Sequence, residues 1–226
     1  MKKLMFEQLE PVSLPERAAN ALKDAFFSGL LKPGDAIVER EIARQMKVGT
    51  PVVREALISL QEQGFVRRIA NTGTFVTRFN VHEVRQLYML RIEFEFLAFQ
   101  WARARVTAAE LDELKQLVDT MVEAGESGDR RKFLEQDYTF HQRCWQLSGN
   151  DYLADTLDRL MAPLFAFVVM ASGAPLTSAM AHEHYELIDA LANLKEPEFA
   201  ATVRGILNGI AERWLSAMNR MEAATT

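Results

Sequence analysis

The sequence predicts a mainly α protein in two parts: an N-terminal three-helix unit closed by a small β-hairpin, then an all-α bundle of six or seven helices. Three observations carry the prediction. Residues 50–63 combine a helix-start signal, an apolar stripe and a glycine stop. Phe65-Val-Arg-Arg-Ile69 and Thr74-Phe-Val-Thr77 flank a turn at Ala70-Asn-Thr-Gly73, the chemistry of a hairpin. From Val81 onward apolar residues recur at helical spacing, with no convincing strand.

Residues 1–10 read as a flexible arm. A first helix is expected from about Ser13, its N-cap, to Ser28, with Ala18, Leu22, Ala25 and Phe26 as its stripe and Gly29 as its stop. A short helix follows over Val38–Met46, with Ile42 and Met46 inward and Val48 in the turn. In the next helix Thr50 serves as N-cap and Pro51 as first helical residue, because proline lacks only an N–H that would be orphaned there. Val53, Ala56, Leu57 and Leu60 face inward, while Arg54 and Glu55 stay exposed. Two short helices across a tight turn, the second presenting an arginine near its start, form a helix-turn-helix, and the hairpin makes it winged.

These residues also carry a family likeness. Gly29-Leu-Leu-Lys-Pro-Gly34, Glu39-Arg-Glu-Ile-Ala43, Arg54-Glu-Ala-Leu57, Gly64-Phe-Val66 and Gly73-Thr-Phe-Val76 stand in the order and spacing of the DNA-binding domain of GntR-family bacterial transcription regulators. Residues 11–78 resemble that domain, so residues 1–78 form the expected winged helix-turn-helix unit. The resemblance implies double-stranded DNA as a partner.

Composition sets outer limits. At 226 residues and 49% apolar content, the chain can bury one large core or two modest ones. No apolar run approaches the roughly 20 residues that span a bilayer, and Met1-Lys-Lys-Leu-Met-Phe lacks a signal-peptide pattern. No membrane association and a cytoplasmic location are expected. The single cysteine, Cys144, excludes an internal disulfide framework and reads as a core thiol. Net charge is −5, which alone argues against nucleic acid. Residues 1–80, however, carry 12 basic and 9 acidic side chains, a balance of +3, and the remainder −8. A basic head on an acidic body keeps phosphate attraction local.

Helices in the second part are expected at about 81–104, 107–124, 130–147, 152–170, 178–194 and 198–217. The fourth is almost wholly apolar after Met161, which marks a buried central helix disturbed by Pro163. Leu90-Arg-Ile-Glu-Phe-Glu-Phe96, Asp137-Tyr-Thr-Phe-His141, Leu147-Ser-Gly-Asn150 and Glu183-His-Tyr-Glu-Leu-Ile-Asp-Ala-Leu191 resemble the FCD ligand-binding domain of the FadR subfamily of GntR regulators. Residues 79–226 are therefore expected to bind an effector and to dimerise.

Two sets of residues are candidates for function. On the head, Arg54 suits bidentate contact with guanine or a clamp on phosphate, and Arg40 matches a family position used on DNA. Thr50 stands where many family members have arginine, which implies a different base preference there. Asn71 at the wing tip suits the minor groove, and Arg67 and Arg68 suit the backbone. In the bundle, Asp137 and His141 are four apart on one helix face, and His184 lies on the apolar stripe of Leu187, Ile188 and Leu191. One carboxylate and two imidazoles in an apolar interior are costly unless they share a cation or hydrogen bonds. Such ligands suit a divalent metal: zinc, nickel or manganese.

The family resemblance implies an aspartate and three histidines on that metal. The third histidine is missing here; its place falls near Leu207 or Asn208, of which only Asn208 has a ligating atom. Arg91, on an apolar helix face, needs an anion. Glu95, four residues on, is one partner, and the carboxylate of a small organic acid is another.

The expected function is a homodimeric DNA-binding regulator of a palindromic operator, a repressor released by a small carboxylate. It is not expected to be an enzyme. The runner-up is a constitutive dimeric DNA-binding protein whose bundle only dimerises. A metalloenzyme built on the Asp–His set would lack a general base or nucleophile beside it.

Overall fold

The computed structural model describes residues 13–172 and 176–225. The arm expected at residues 1–10, and residues 173–175 of the loop expected before Ser178, lie outside them.

The head comprises α1 (Leu14–Phe27), β1 (Ala36–Ile37), α2 (Glu39–Met46), α3 (Thr50–Glu62), β2 (Val66–Ile69) and β3 (Gly73–Val76). Ser13 caps α1 by accepting the Glu16 N–H through its side chain. Leu22 and Phe26 of α1 meet Val53, Leu57 and Leu60 of α3 and Phe65, Val66 and Val76 of the wing in one core. Between α2 and α3 the chain turns at Lys47, which takes a left-handed conformation (φ 54°). Gly64, at φ +80°, follows the end of α3.

Two features differ from the sequence expectation. Gly49, not Thr50, is the N-cap of α3, and its cap has no side-chain hydrogen bond, so Thr50 becomes the first helical residue. The wing holds a third strand: the sheet order is β1-β3-β2, all antiparallel, with Ala36 opposite Phe75 and Val66 opposite Val76. A strand of two residues is too short to show alternation.

The bundle comprises six helices among the described residues: α4 (Val81–Arg103), α5 (Ala108–Ser127), α6 (Arg130–Leu147), α7 (Asp151–Ser172), α8 (Ser178–Asn193) and α9 (Glu198–Thr225). Asn80 with Glu83, and Thr107 with Glu110, form reciprocal capping boxes that start α4 and α5. α5 runs through Gly125 to Ser127, past the end expected near residue 124. A Cβ at Gly125 would lie 2.6 Å from the Ser178 backbone nitrogen, so this glycine permits close approach of α8 rather than breaking the helix.

α7 joins the two parts. All of Met161–Phe167 is buried. Ala162 and Ala166 belong to the head's core, while Met161, Leu164, Phe165 and Phe167 belong to the bundle's. A Cβ at Gly64 would lie 3.2 Å from Cγ of Pro163, which sits inside α7. The head is packed onto the bundle through the middle of one helix.

Candidate functional site

In the bundle, α6 carries Asp137 and His141 one turn apart, and α8 carries His184 on the stripe that buries Ala181, Leu187 and Leu191. Oδ1 of Asp137 lies 3.0 Å from Nε2 of His184 and 3.5 Å from Nε2 of His141. One ligand atom from each of the three residues falls within 4.8 Å of the others. Both histidines are buried, and the Asp137 side chain is 18% exposed.

The second nitrogen of each imidazole is turned to an acceptor. Nδ1 of His184 is 3.2 Å from the Ala181 carbonyl, and Nδ1 of His141 is 3.0 Å from Oε1 of Glu95. The latter contact is short but poorly aligned. Among the described residues, His141 Nδ1 is the buried side-chain polar atom left without a formed hydrogen bond. We read it as a charge contact with Glu95. Holding Nδ1 on an acceptor and presenting Nε2 is how proteins orient histidines toward a metal. His184 also poses a bonding problem, because both its nitrogens face acceptors. A neutral imidazole has one proton, so it can donate to Asp137 or to the Ala181 carbonyl but not to both.

Two of the three separations suit a small divalent ion. With Zn–N and Zn–O near 2.0–2.1 Å, the edges of a tetrahedral site are about 3.3 Å, and two of the observed edges are 3.0 and 3.5 Å. One group competes: Nη2 of Arg91 lies 3.1 Å from Nε2 of His141. A guanidinium can only donate, so in this arrangement Nε2 is the acceptor nitrogen. Arg91 must withdraw from Nε2 for a metal to bind there.

Arg91 is otherwise fixed. Its Nε donates to Oε2 of Glu95 at 2.8 Å, and its guanidinium lies over Phe165 at 4.9 Å. Trp145 Nε1 donates to Oε1 of Glu95, also at 2.8 Å. Burial would raise the Glu95 pKa, but the charges of Arg91 and His141, with the hydrogen bond from Arg91, hold it down at about 2. Burial likewise opposes ionisation of Asp137, yet its contacts with both histidines keep it below the usual carboxylate range. Burial opposes the charged form of His141, while Glu95 outweighs this and moves its pKa upward. Cys144 is buried beside this network, with its thiol pKa pushed well up by burial.

These groups enclose a cavity of about 30 Å³, room for an ion or a water rather than an organic ligand. Its walls include Tyr88, Phe165, Met180, Ile210 and Trp214, and Glu183 and Arg213 pair beside it with closest approaches of 2.5–2.6 Å. Asn208 does not contribute. It is exposed, and its amide donates to the Arg204 carbonyl, while Leu207 is buried in the core. Sequence reasoning missed Phe165, Met180, Glu183, Ile210 and Arg213, because convergence from three separate helices leaves no local spacing signal.

On the head, Arg54 is exposed, and its Nε and Nη2 both donate to Oε2 of Glu39, at 3.2 and 2.9 Å. Glu39 thus holds Arg54, not Glu55 or Glu62 on its own helix. Arg40 is exposed on α2, and Thr50 is half-buried at the start of α3. Asn71 is exposed at the hairpin tip with φ 60°. Arg67 is turned toward the bundle: Nη2 donates to Glu83 at 3.2 Å, and the guanidinium sits 5.5 Å from the Phe79 ring centroid. Its neighbour Arg68 is exposed.

A winged helix-turn-helix head on a helical bundle with a buried acid–imidazole cluster defines a DNA-binding transcription regulator. Comparison with known proteins gives the family. Residues 14–76 match the gntR family of bacterial regulatory proteins, and residues 86–209 match the FCD domain. The Nta operon transcriptional regulator of Aminobacter aminovorans is 34% identical over 175 residues, covering 76% of this chain and 80% of that protein. The HTH-type transcriptional regulator McbR of Escherichia coli K12 is 25% identical over 194 residues, covering 84% and 87%. The solved structure of E. coli McbR/YncC superposes with a TM-score of 0.77 at 23% identity, over 93% of this chain and 99% of that one. The chain belongs to the GntR family and carries an FCD domain. Among the described residues no helix is long and apolar enough to cross a membrane.

Proposed function

We propose that this regulator is a homodimeric repressor whose bundle binds a small carboxylate over a divalent metal held by Asp137, His141 and His184, and that binding releases the head from a palindromic operator. The observation that carries the reading is the convergence of those three side chains beside Arg91, next to a helix that also forms part of the head's core. When bound, the metal supplies a Lewis-acid anchor for a carboxylate oxygen. The protein supplies the rest. Asp137 and the two Nε2 atoms provide ligands, and Glu95 and the Ala181 carbonyl orient the imidazoles. Arg91, once withdrawn from His141, is placed to meet the carboxylate.

On the head, Arg54 and Arg40 are the proposed DNA contacts of the helix-turn-helix, with Thr50 beside Arg54 and Asn71 at the wing tip. Arg67 and Arg68 are the wing's proposed backbone contacts; Arg67 would leave Glu83, a partly exposed partner, as Arg54 would leave Glu39. One recognition helix offers few base contacts, so two copies are required to read a palindrome. The apolar side chains that α4 exposes, Met89, Leu90 and Trp101, offer a surface for the second copy.

Transmission runs through α6 and α7. Phe165 of α7 faces the cavity, and Ala162, Pro163 and Ala166, one to three residues away, meet the head. Tyr138, next to Asp137 on α6, touches Phe165 (ring centroids 5.2 Å apart) and Phe27 of α1 (6.0 Å). A ligand releases the operator only if it binds the DNA-free arrangement more tightly, and couplings of about 1–3 kcal/mol are typical.

Metal analysis of protein purified without affinity-tag metal, paired with thermal shift against small acids, tests the reading. Near-stoichiometric zinc, nickel or manganese with a stabilising acid supports it. Absence of both leaves a constitutive DNA-binding protein whose bundle only dimerises.

A further inference from the structure

The cavity's charges and walls narrow the ligand beyond "a small carboxylate". Arg91 contributes one positive charge; Glu95 and Asp137 contribute two negative ones. Glu183 and Arg213 cancel each other beside it. With neutral imidazoles the site therefore sums to −1, and a divalent metal takes it to +1. One monoanion neutralises it. A dicarboxylate would leave a net negative charge in an apolar interior, a state that burial penalises. Without the metal, Nη2 of Arg91 stays on Nε2 of His141, and an incoming carboxylate has no free cation to meet.

The walls decide the rest of the ligand. Phe133, Leu134, Phe165, Met180, Ile210 and Trp214 line the cavity, and among the described residues no Ser, Thr, Asn or Gln does. Apart from Tyr88, the polar wall groups are already engaged, Arg91 with Glu95, Glu183 with Arg213 and Asp137 with the histidines, so the hydroxyls of a polyhydroxylated acid would have to displace those contacts. α9 presents Ile210 and Trp214 to the cavity, with Arg213 held on Glu183 beside them, so the part of that wall free to meet a ligand is apolar. The cavity, at about 30 Å³, is smaller than any such acid. The acid must therefore displace wall side chains, among them Phe165 of α7.

Resting on the reading proposed above, we infer that the effector is a monocarboxylate with a compact apolar or aromatic body, which binds only with the metal in place. Its carboxylate meets the metal and Arg91, and its body packs against Met180, Ile210 and Trp214.

Isothermal titration of the full chain, with and without one equivalent of zinc, tests this with four probes: benzoate, pentanoate, succinate and gluconate. The expected result is that benzoate or pentanoate binds at least tenfold tighter than succinate and gluconate, and only with zinc. Each added methylene should tighten an aliphatic series about fourfold, until the wall is met. Ile210→His, which puts an imidazole into the apolar wall, should weaken the apolar acids at least tenfold while zinc remains bound. Trp214→Ala, at a half-buried position, should do so more mildly if the first variant does not fold. Tighter binding of succinate or gluconate overturns the inference and leaves the sensor reading standing. Zinc-independent binding of the apolar acids overturns the metal requirement. Binding of none of the four overturns both the inference and the sensor reading.

Discussion

Two arginine–glutamate pairs, almost equal in length, show how differently this protein uses the same chemistry. Arg54 and Glu39 meet at 2.9 Å on the head with side chains 59% and 28% exposed. Arg91 and Glu95 meet at 2.8 Å inside the bundle at 3% and 0%. In water the first pair is worth about 0–1 kcal/mol and its partners exchange easily. Arg54 can therefore leave Glu39 for a phosphate or a guanine at little cost. In the interior the second pair pays for its desolvation only because each member is fully engaged, and loss of one member strands the other. The exposed pair keeps a contact residue available; the buried pair fixes the geometry of a site.

The largest effect should come from breaking the buried pair. Glu95→Ala leaves Arg91 without its carboxylate, frees Trp145 Nε1 and unhooks His141, so a loss of about 3–5 kcal/mol is expected in urea denaturation. A loss below about 1 kcal/mol would mean that water or a rearranged partner replaces Glu95. Next in size is the loss of DNA recognition. Arg54→Ala should fold and dimerise normally but lose roughly 10- to 100-fold in operator affinity, at about 1–3 kcal/mol per bidentate base contact, measured by fluorescence anisotropy. Retained affinity would move base readout elsewhere on the head.

A pH series sharpens the comparison. Glu95 is depressed from 4.5 to about 2 in the fold. Its contribution is complete above about 4.5 and is lost as pH falls from there toward about 2. Asp137 is depressed in the same sense and adds to the acid loss, whereas His141, raised from 6.5, stabilises below that value and loses its contribution as pH rises. Melting temperature should therefore fall below pH 4.5, and Glu95→Gln should flatten that fall. An unchanged slope in the variant would assign it to other carboxylates. The dimer surface is tested by Leu90→Glu with Trp101→Glu: both side chains are exposed, so the monomer should fold, but size-exclusion chromatography should show loss of the dimer. The smallest effect is expected for Glu39→Gln, within about 0.5 kcal/mol in stability.

The same contrast explains what the sequence made legible. The head was readable because its signals are local: the Ser13 cap, the Gly64 stop and the Val53–Leu60 stripe each act within a turn or two. β1 was not, since Ala36–Ile37 is a strand only by virtue of its partner β3. Gly125 misled because a glycine chosen for packing looks like one chosen for a turn. In the bundle, Asp137 and His141 announced themselves by helical spacing, and Arg91 with Glu95 likewise. Arg213, Glu183, Ile210 and Phe165 join them only through tertiary packing. Asn208 shows the limit of phase reading: it sits one residue from buried Leu207, about 100° around the helix, and that rotation puts it in solvent.

The most direct measurement is operator release in solution. Full-length protein bound to a labelled operator fragment would be titrated with an apolar monocarboxylate in the presence of zinc, and again after chelation. The account predicts that the acid weakens DNA binding by at least fivefold with zinc and has no effect after chelation. Operator affinity that ignores the acid in both conditions, in protein shown to bind that acid, would contradict the claim that the buried site controls the head.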